Sequence, residues 1–441
     1  MMRLRPRSTG PTRENPDNAM NSASPETNFY RWIIVLCSFL ILFVSNGITI
    51  GGITVFDLEL IKSLSESAGR EISLGELKIR DGLMFATAGI LGMAAGWLAD
   101  RVGVKPLIIV GLALLALCNF AYSRVEMLSD VYAIHVVFGL VLVLCGLMIN
   151  VYLISRWFDK NRGLAIGLVL AGTSLGNTVF PQLNAWLLQE YSWQEVFQYL
   201  ALVPLLLLPV AIFVVKGSPD DVRRAAGNTD PANINLPGYS LGEALRSRNF
   251  WIICTLAFCT FYSILGMTAV TFVFLRVENY PAQVAATGVS ILFMGGLVGK
   301  IISGYLAENF GRKRILLVSL ALMLIGAVAL VGAVMQGSTL FIWIGLVGFG
   351  FGWGGIYTLI QLLSADLFGL KALGKILGAV NVLDTLGGAM GPVLTAMLYD
   401  RTGSFVVSFA VITAMLVVAT LAASMLRMED AAYVKFGNAN G

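Results

Sequence analysis

Gly96-Trp97-Leu98-Ala99-Asp100-Arg101-Val102-Gly103-Val104-Lys105-Pro106 lies between two apolar runs, 79–99 and 107–122. Each run is long enough to cross a hydrocarbon core. The stretch between them leaves room for about one turn, so the chain reverses at a membrane face. Gly96 and Gly103 allow close helix approach and a tight turn. Asp100 suits a helix terminus, and Arg101 and Lys105 supply the positive charge found on cytoplasmic loops. The pattern then returns. Gly304-Tyr305-Leu306-Ala307-Glu308-Asn309-Phe310-Gly311-Arg312-Lys313-Arg314 keeps the same register 208 positions on, again between apolar runs.

A second echo accompanies the first. Gly163, Gly167, Leu175, Gly176 and Pro181 recur as Gly374, Gly378, Leu386, Gly387 and Pro392, each 211 positions later. Two independent echoes at nearly one offset make the chain a duplicated unit. The rest of the composition agrees. Of 441 residues, 57% are hydrophobic and 13% charged, far below the roughly 25% charge of a soluble domain. Twelve apolar spans can be placed, near 32–55, 79–99, 106–123, 130–154, 163–188, 195–215, 249–275, 284–307, 315–335, 339–363, 373–398 and 404–426.

The spacing predicts an all-α membrane protein of twelve transmembrane helices in two six-helix bundles, 32–215 and 249–427. Segment 1–31 reads as a disordered cytoplasmic tail and 216–248 as a polar cytoplasmic linker with a short helix near 241–245. Segment 428–441 reads as a second cytoplasmic tail. With the N-terminus inside, the cytoplasmic segments hold roughly three times the Lys and Arg of the opposite loops. The one opposite loop of note, 57–80, mixes acidic and basic residues and has room for a short helix at the outer mouth. The net charge of +4 follows this topology and carries no signal for nucleic acid. Five cysteines lie in apolar segments without metal-ligand spacing, and no phosphate loop or catalytic triad appears, so neither a metal, a cofactor nor an enzyme is expected.

Segment 96–105 resembles the loop signature between helices 2 and 3 of the major facilitator superfamily, with Val104 where a basic residue is usual. Arg156-Trp157-Phe158-Asp159-Lys160-Asn161-Arg162-Gly163-Leu164-Ala165-Ile166-Gly167, followed by Ala171-Gly172-Thr173-Ser174-Leu175-Gly176, resembles the helix 4–5 region of its monocarboxylate and oxalate/formate transporters. The resemblance implies secondary active transport of a small organic anion, driven by protons through alternating access, by a monomer in the cell membrane. It also implies a conformational latch at Gly96, Asp100, Arg101, Gly103 and Lys105 and at Gly304, Glu308, Gly311 and Arg312. Alternatives are a proton-coupled efflux antiporter of drugs or metabolites and a transporter-like sensor. Drug antiporters carry a Gly-Pro pair in span 5, whereas here Gly391-Pro392 lies in span 11.

Ionisable groups inside a membrane are costly, so each is a functional candidate. Lys300 lies eight residues before Glu308, about 12 Å from the cytoplasmic end, and Asp384 nine beyond Lys375, about 13 Å. At similar depth they can form an ion pair. Gly299-Lys300-Ile301-Ile302-Ser303-Gly304 resembles the motif in which monocarboxylate transporters place a carboxylate-binding arginine. An aspartate of those transporters is replaced by Gly296, and their helix 1 lysine by Gly51 or Gly52. A lysine of oxalate transporters is replaced by Asp384. One cation beside one anion favours a monocarboxylate, or a zwitterion held between the two. The competing readings are a snorkelling lysine and a structural aspartate. Asp384 or His135, the single histidine, can carry the coupling proton, and the histidine can instead bond to a neighbouring backbone or hydroxyl group. Asp81 opens span 2 and suits its N-terminus without any function. Asn46, Thr49, Asn150, Asn177, Gln182, Tyr262, Trp353, Tyr357, Gln361 and Asn381 are uncharged candidates for a path or for interhelical bonding, and of these Asn46, Asn150, Tyr262, Trp353, Tyr357 and Asn381 join Lys300 and Asp384 as the eight expected substrate residues. The run Gly348–Gly355 reads as a bending cavity helix or a close-packing one.

Overall fold

A computed structural model describes residues 25–158, 161–216, 238–369 and 371–428. Among the described residues, eleven helices are long and apolar enough to cross a membrane. The pair Leu74–Gly92 and Ala95–Val102, bent by 58°, makes a twelfth span. We number the spans 1 (Phe29–Ala68), 2 (the bent pair), 3 (Val104–Tyr122), 4 (Leu128–Trp157), 5 (Arg162–Leu187) and 6 (Trp193–Phe213). The second half gives 7 (Arg248–Val277), 8 (Ala282–Phe310), 9 (Arg312–Gln336), 10 (Thr339–Phe368), 11 (Leu373–Thr402) and 12 (Phe405–Ser424). Twelve crossings bring both ends of the described chain to one face, here called the terminal face.

The first helix already starts at Pro25, so the last part of the expected tail is helical. The rest of that tail, the linker core and the end of the C-terminal tail lie outside the described residues. The short helix Leu241–Leu245 forms, with Ser240 and Glu243 capping each other's backbone. Segment 57–80 is not a loop. Span 1 runs on to Ala68, span 2 begins at Leu74, and Lys78 and Arg80 are helical and fully buried.

Buried apolar side chains gather in two clusters. One draws on residues 34–215 and the other on 244–426, joined by Val55, Leu74 and Ala185 from the first half. The sequence echo is a packing echo. A side chain at Gly176 would run into the Phe43 carbonyl of span 1, and one at Gly387 into the Phe258 carbonyl of span 7. Both loop signatures also turn on a glycine with positive φ, Gly103 at 87° and Gly311 at 90°. A side chain there would be strained, and the next helix starts at the following residue in each case.

Besides the bend of span 2 between Gly92 and Ala95, three more spans break where the cavity forms. Span 1 passes through a π turn, Gly47–Gly51, and a 3-10 turn, Gly52–Phe56. These turns disturb the helical ladder, and lipid offers no water to repair it. Two asparagines of span 5 do so instead. Gly51 N–H donates to Asn177 Oδ1 at 2.6 Å, and Asn184 Nδ2 donates to the Gly52 carbonyl at 2.9 Å. Span 4 breaks at Cys145-Gly146, where Asn150 Nδ2 donates to both carbonyls at 2.9 Å. Span 10 breaks at Gly354-Gly355. The glycine run in it does both of the jobs foreseen for it: Gly350 and Gly352 meet spans 8 and 9 closely, while the chain bends just beyond them.

The two bundles touch on the face opposite the termini. Along span 2, Gly75, Gly82 and Gly89 recur every seventh residue against Met397, Ala389 and Thr385 of span 11. Asp400 of span 11 accepts from Leu74 N–H at 3.1 Å and Gly75 N–H at 2.6 Å, capping span 2 across the seam. Gln182 of span 5 donates to Thr287 and Ser290 of span 8 at 3.0 and 3.2 Å and accepts from Gln283. Toward the terminal face the pattern inverts. Gly92, Gly96, Gly163, Gly167, Gly304, Gly374 and Gly378 meet no atom within 4 Å of an added Cβ.

Candidate functional site

Between the bundles lies a cavity of about 350 Å³, lined by spans 1, 2, 4, 5, 7, 8, 10 and 11. It lies inside the closed seam, and one of the unpacked glycines, Gly92, lines it. Six of the eight expected substrate residues line it: Asn46, Lys300, Trp353, Tyr357, Asn381 and Asp384. Most of the remaining wall is apolar, including Phe85, Leu142, Leu170, Phe261 and Phe293.

Lys300 is the one cation of that lining and Asp384 the one carboxylate. They do not form the expected ion pair; no bond within 4.0 Å joins them. Lys300 comes from span 8 and Asp384 from span 11, and both line the cavity. Lys300 has no hydrogen bond or ion pair among the described residues. Asp384 is 7% exposed and accepts one bond, from Thr385 Oγ1 at 3.3 Å, with Asn381 Nδ2 3.5 Å behind that hydroxyl. Gly296 has a physical reason. A Cβ there would fall 2.6 Å from the Trp353 ring, whose Nε1 donates to the Leu292 carbonyl at 3.2 Å. The tryptophan fills the place of a side chain on span 8 and presents an aromatic wall beside Lys300. Gly354 lets span 10 pass against the Lys300 backbone, 2.6 Å from the position of an added Cβ.

Two expected substrate residues are elsewhere. Asn150 is fully buried at the span 4 break, spent on two carbonyls that the break leaves unbonded. Tyr262 is 1% exposed, packed where its own carbonyl closely faces Gly391 of span 11. Both were misread because polarity within an apolar run does not tell a cavity from a buried break. Asn177 does line the cavity while holding Gly51.

His135 lies outside the cavity lining, in a buried polar cluster that the sequence reading missed. Lys78 Nζ lies 2.6 Å from Asp57 and 3.3 Å from Asp81. Arg80 meets Asp57 at 2.5 Å and Asp81 at 3.4 Å, and donates to the Tyr122 hydroxyl at 3.0 Å. Asp81 is thus a network member, not merely a charge suited to a helix terminus. Its i,i+3 spacing from Lys78 was the one local signal available.

The latch residues stay within their own bundles. Asp100 accepts from the Tyr152 hydroxyl, Arg101 stacks on Trp97 at 5.0 Å, and Lys105 is half-buried beside Gly103. Arg312 pairs with Asp366 and donates to the Leu362 carbonyl at 3.2 Å, while Glu308 is exposed. No bond among the described residues crosses between the two signatures.

Comparison with known proteins places this geometry. The family model of the Major Facilitator Superfamily matches residues 32–392. Monocarboxylate transporter 13 of Bos taurus is 25% identical over 401 residues, covering 89% of this chain and 88% of its own. The oxalate:formate antiporter of Oxalobacter formigenes is 27% identical over 333 residues, covering 72% and 77%. A crystal structure of a bacterial homologue of the human lysosomal transporter Spinster, inward-facing and occupied, superposes with a TM-score of 0.68 at 16% identity, covering 91% and 96%. A bilobal set of membrane helices around a central cavity, matched over most of its length by that model, makes the chain a multi-pass transporter and not an enzyme, and it belongs to the Major Facilitator Superfamily, resembling the monocarboxylate and oxalate:formate members.

Proposed function

We propose that this transporter carries a small monocarboxylate-type anion across the cell membrane by proton-coupled alternating access. The observation that carries the reading is the pair of unpaired charges, Lys300 and Asp384, facing one cavity between the bundles. With both ionised, the cavity is neutral overall and has no net attraction for an anion. A proton on Asp384 leaves the Lys300 ammonium uncompensated, and the substrate carboxylate meets it. Proton and anion together restore neutrality, and a neutral cavity is cheaper to enclose in a low dielectric than a charged one. The cycle therefore favours movement when both are bound or both are absent.

The same lining supports selectivity. A second carboxylate would find no second cation, and would lie against phenylalanine and leucine side chains. A monocarboxylate with an apolar body fits, as does a zwitterion whose cation reaches Asp384. The cavity volume lies within the usual range for small-ligand sites. The relatives named as monocarboxylate transporter and oxalate:formate antiporter support a carboxylate cargo. The terminal face is assigned to the cytoplasm by its excess of Lys and Arg, and both signatures there act as latches that close when the opposite seam opens. The whole cavity is built by one chain, which supports function as a monomer.

The test is uptake into proteoliposomes under an imposed pH gradient, using labelled lactate, benzoate and oxalate. The expected result is accumulation of lactate or benzoate against its gradient when the outside is acidic, with little oxalate. Uptake indifferent to the pH gradient, or preference for oxalate, would contradict the reading.

A further inference from the structure

We propose that His135 and Asp81 form a second proton-binding site, separate from Lys300 and Asp384, which loads from the face opposite the termini and empties into the central cavity. The inference rests on the reading of the chain as a proton-coupled carboxylate transporter.

The imidazole tautomer is fixed by geometry. His135 Nδ1 lies 3.0 Å from the Val131 carbonyl, which only accepts, so Nδ1 carries the hydrogen. Nε2 is fully buried and has no hydrogen-bond partner. It points at Asp81 Oδ1 from 3.8 Å, too far for a hydrogen bond. Two acceptors thus face each other with one proton missing between them.

The groups around the pair leave the charge balanced. Asp57 comes from span 1, Lys78 and Arg80 from span 2, and Tyr122 from span 3. The Tyr122 ring lies 5.6 Å from the imidazole, and Phe138 of span 4 lies 5.3 Å from it. Two cations and two carboxylates cancel while the imidazole is neutral. One proton from water, added to Nε2, creates an Nε2–H that donates to Asp81 Oδ1 and leaves the cluster with one net positive charge. No other bond changes.

A route exists. A gap of about 10 Å³, near the room one water needs, is lined by Thr49, Thr54 and Asp81 from one bundle and Leu265, Thr268 and Ala269 from the other. Ile50, Phe85, Leu265 and Thr268 border both this gap and the main cavity. In the state seen here, a proton leaving Nε2 passes Asp81 toward the cavity. When the bundles part on the opposite side, span 7 withdraws its wall and exposes Asp81 to water from there. Each cycle then moves two protons, one on Asp384 and one on His135, with one monoanion, and carries one net positive charge.

The chain has a single histidine, so 15N-histidine labelling of the full chain in lipid bilayers gives one imidazole spectrum whatever the cargo. The expected spectrum shows a neutral Nδ1–H ring at high pH and a doubly protonated ring growing in as the pH falls. A neutral ring throughout overturns the proposal. The companion measurement uses whichever acid of the labelled panel the wild type accumulates. One net charge raises steady-state accumulation about fifty-fold per 100 mV of inside-negative potential. His135→Gln should abolish that dependence while retaining exchange of labelled for unlabelled acid, and Asp81→Asn serves if the first variant folds poorly. Wild-type accumulation indifferent to potential, or a variant that keeps the dependence, overturns the second site. If no panel acid accumulates, the carboxylate reading fails, and the histidine spectrum still decides the proton site.

Discussion

Replacing Asp400 with alanine removes the acceptor of two hydrogen bonds that cross between the bundles, from Leu74 N–H at 3.1 Å and Gly75 N–H at 2.6 Å. These bonds cap the N-terminus of span 2, and the carboxylate also faces the positive end of that helix. Losing such a cap costs about 0.5–2 kcal/mol, and losing the charge about 0.3–1 kcal/mol. The bonds exist only while the opposite seam is closed, because they join spans 2 and 11. The whole loss of about 0.8–3 kcal/mol therefore falls on one state, shifting the ratio of closed to open seam about four- to 150-fold. Asp400→Asn keeps an acceptor without the charge and should shift it by a smaller factor. The assay is double electron–electron resonance between spin labels at Glu71→Cys and Arg401→Cys, both exposed near the seam, in a background without the five native cysteines. The expected result is a longer-distance population that grows in the order wild type, Asp400→Asn, Asp400→Ala. An unchanged distribution in a folded Asp400→Ala protein would refute the assignment of this contact as a state-specific lock.

Asn177→Ala should lower the thermal midpoint, since it orphans the buried Gly51 N–H at a cost of about 1–3 kcal/mol; an unchanged midpoint would show that the broken span 1 does not depend on span 5. Asp100→Asn should slow transport far more than it weakens substrate affinity, because Asp100 sits at the terminal face and not in the cavity; weakened binding at an unchanged rate would contradict that. Cysteines at Ser65 and at Asp220, which lies outside the described residues, should label from opposite sides of sealed vesicles, and same-side labelling would overturn the assigned orientation.

The repeat, the number of spans and the cavity-facing pair were legible because each leaves a local trace. Gly176 and Gly387 recur at a fixed offset because each must let a neighbouring backbone pass, and glycine alone permits that. Lys300 and Asp384 stood out because charge is rare inside an apolar run. The Asp57–Lys78–Arg80–Asp81–His135 cluster left no such trace. Its charges lower the hydropathy of the very segments that carry them, so 57–80 reads as a loop. The pairing that buries them joins spans 1, 2, 3 and 4, and only the folded bundle brings those residues together. Asn150 and Tyr262 failed for the converse reason. Each is a polar residue on a cavity-lining span, but Asn150 is spent on the carbonyls of a helix break and Tyr262 is buried between helices outside the cavity lining.

Substrate binding to purified Lys300→Met/Asp384→Leu protein tests the central claim most directly, measured beside its thermal stability. Either single variant leaves the cavity with a net charge, whereas the double variant leaves it neutral, as the two opposite charges do in the wild type. The account therefore expects the double variant to fold and melt near the wild type and to show no binding of the acid that the wild type transports. Binding at wild-type affinity by that folded double variant would contradict the account, because the carboxylate would then be held by something other than Lys300.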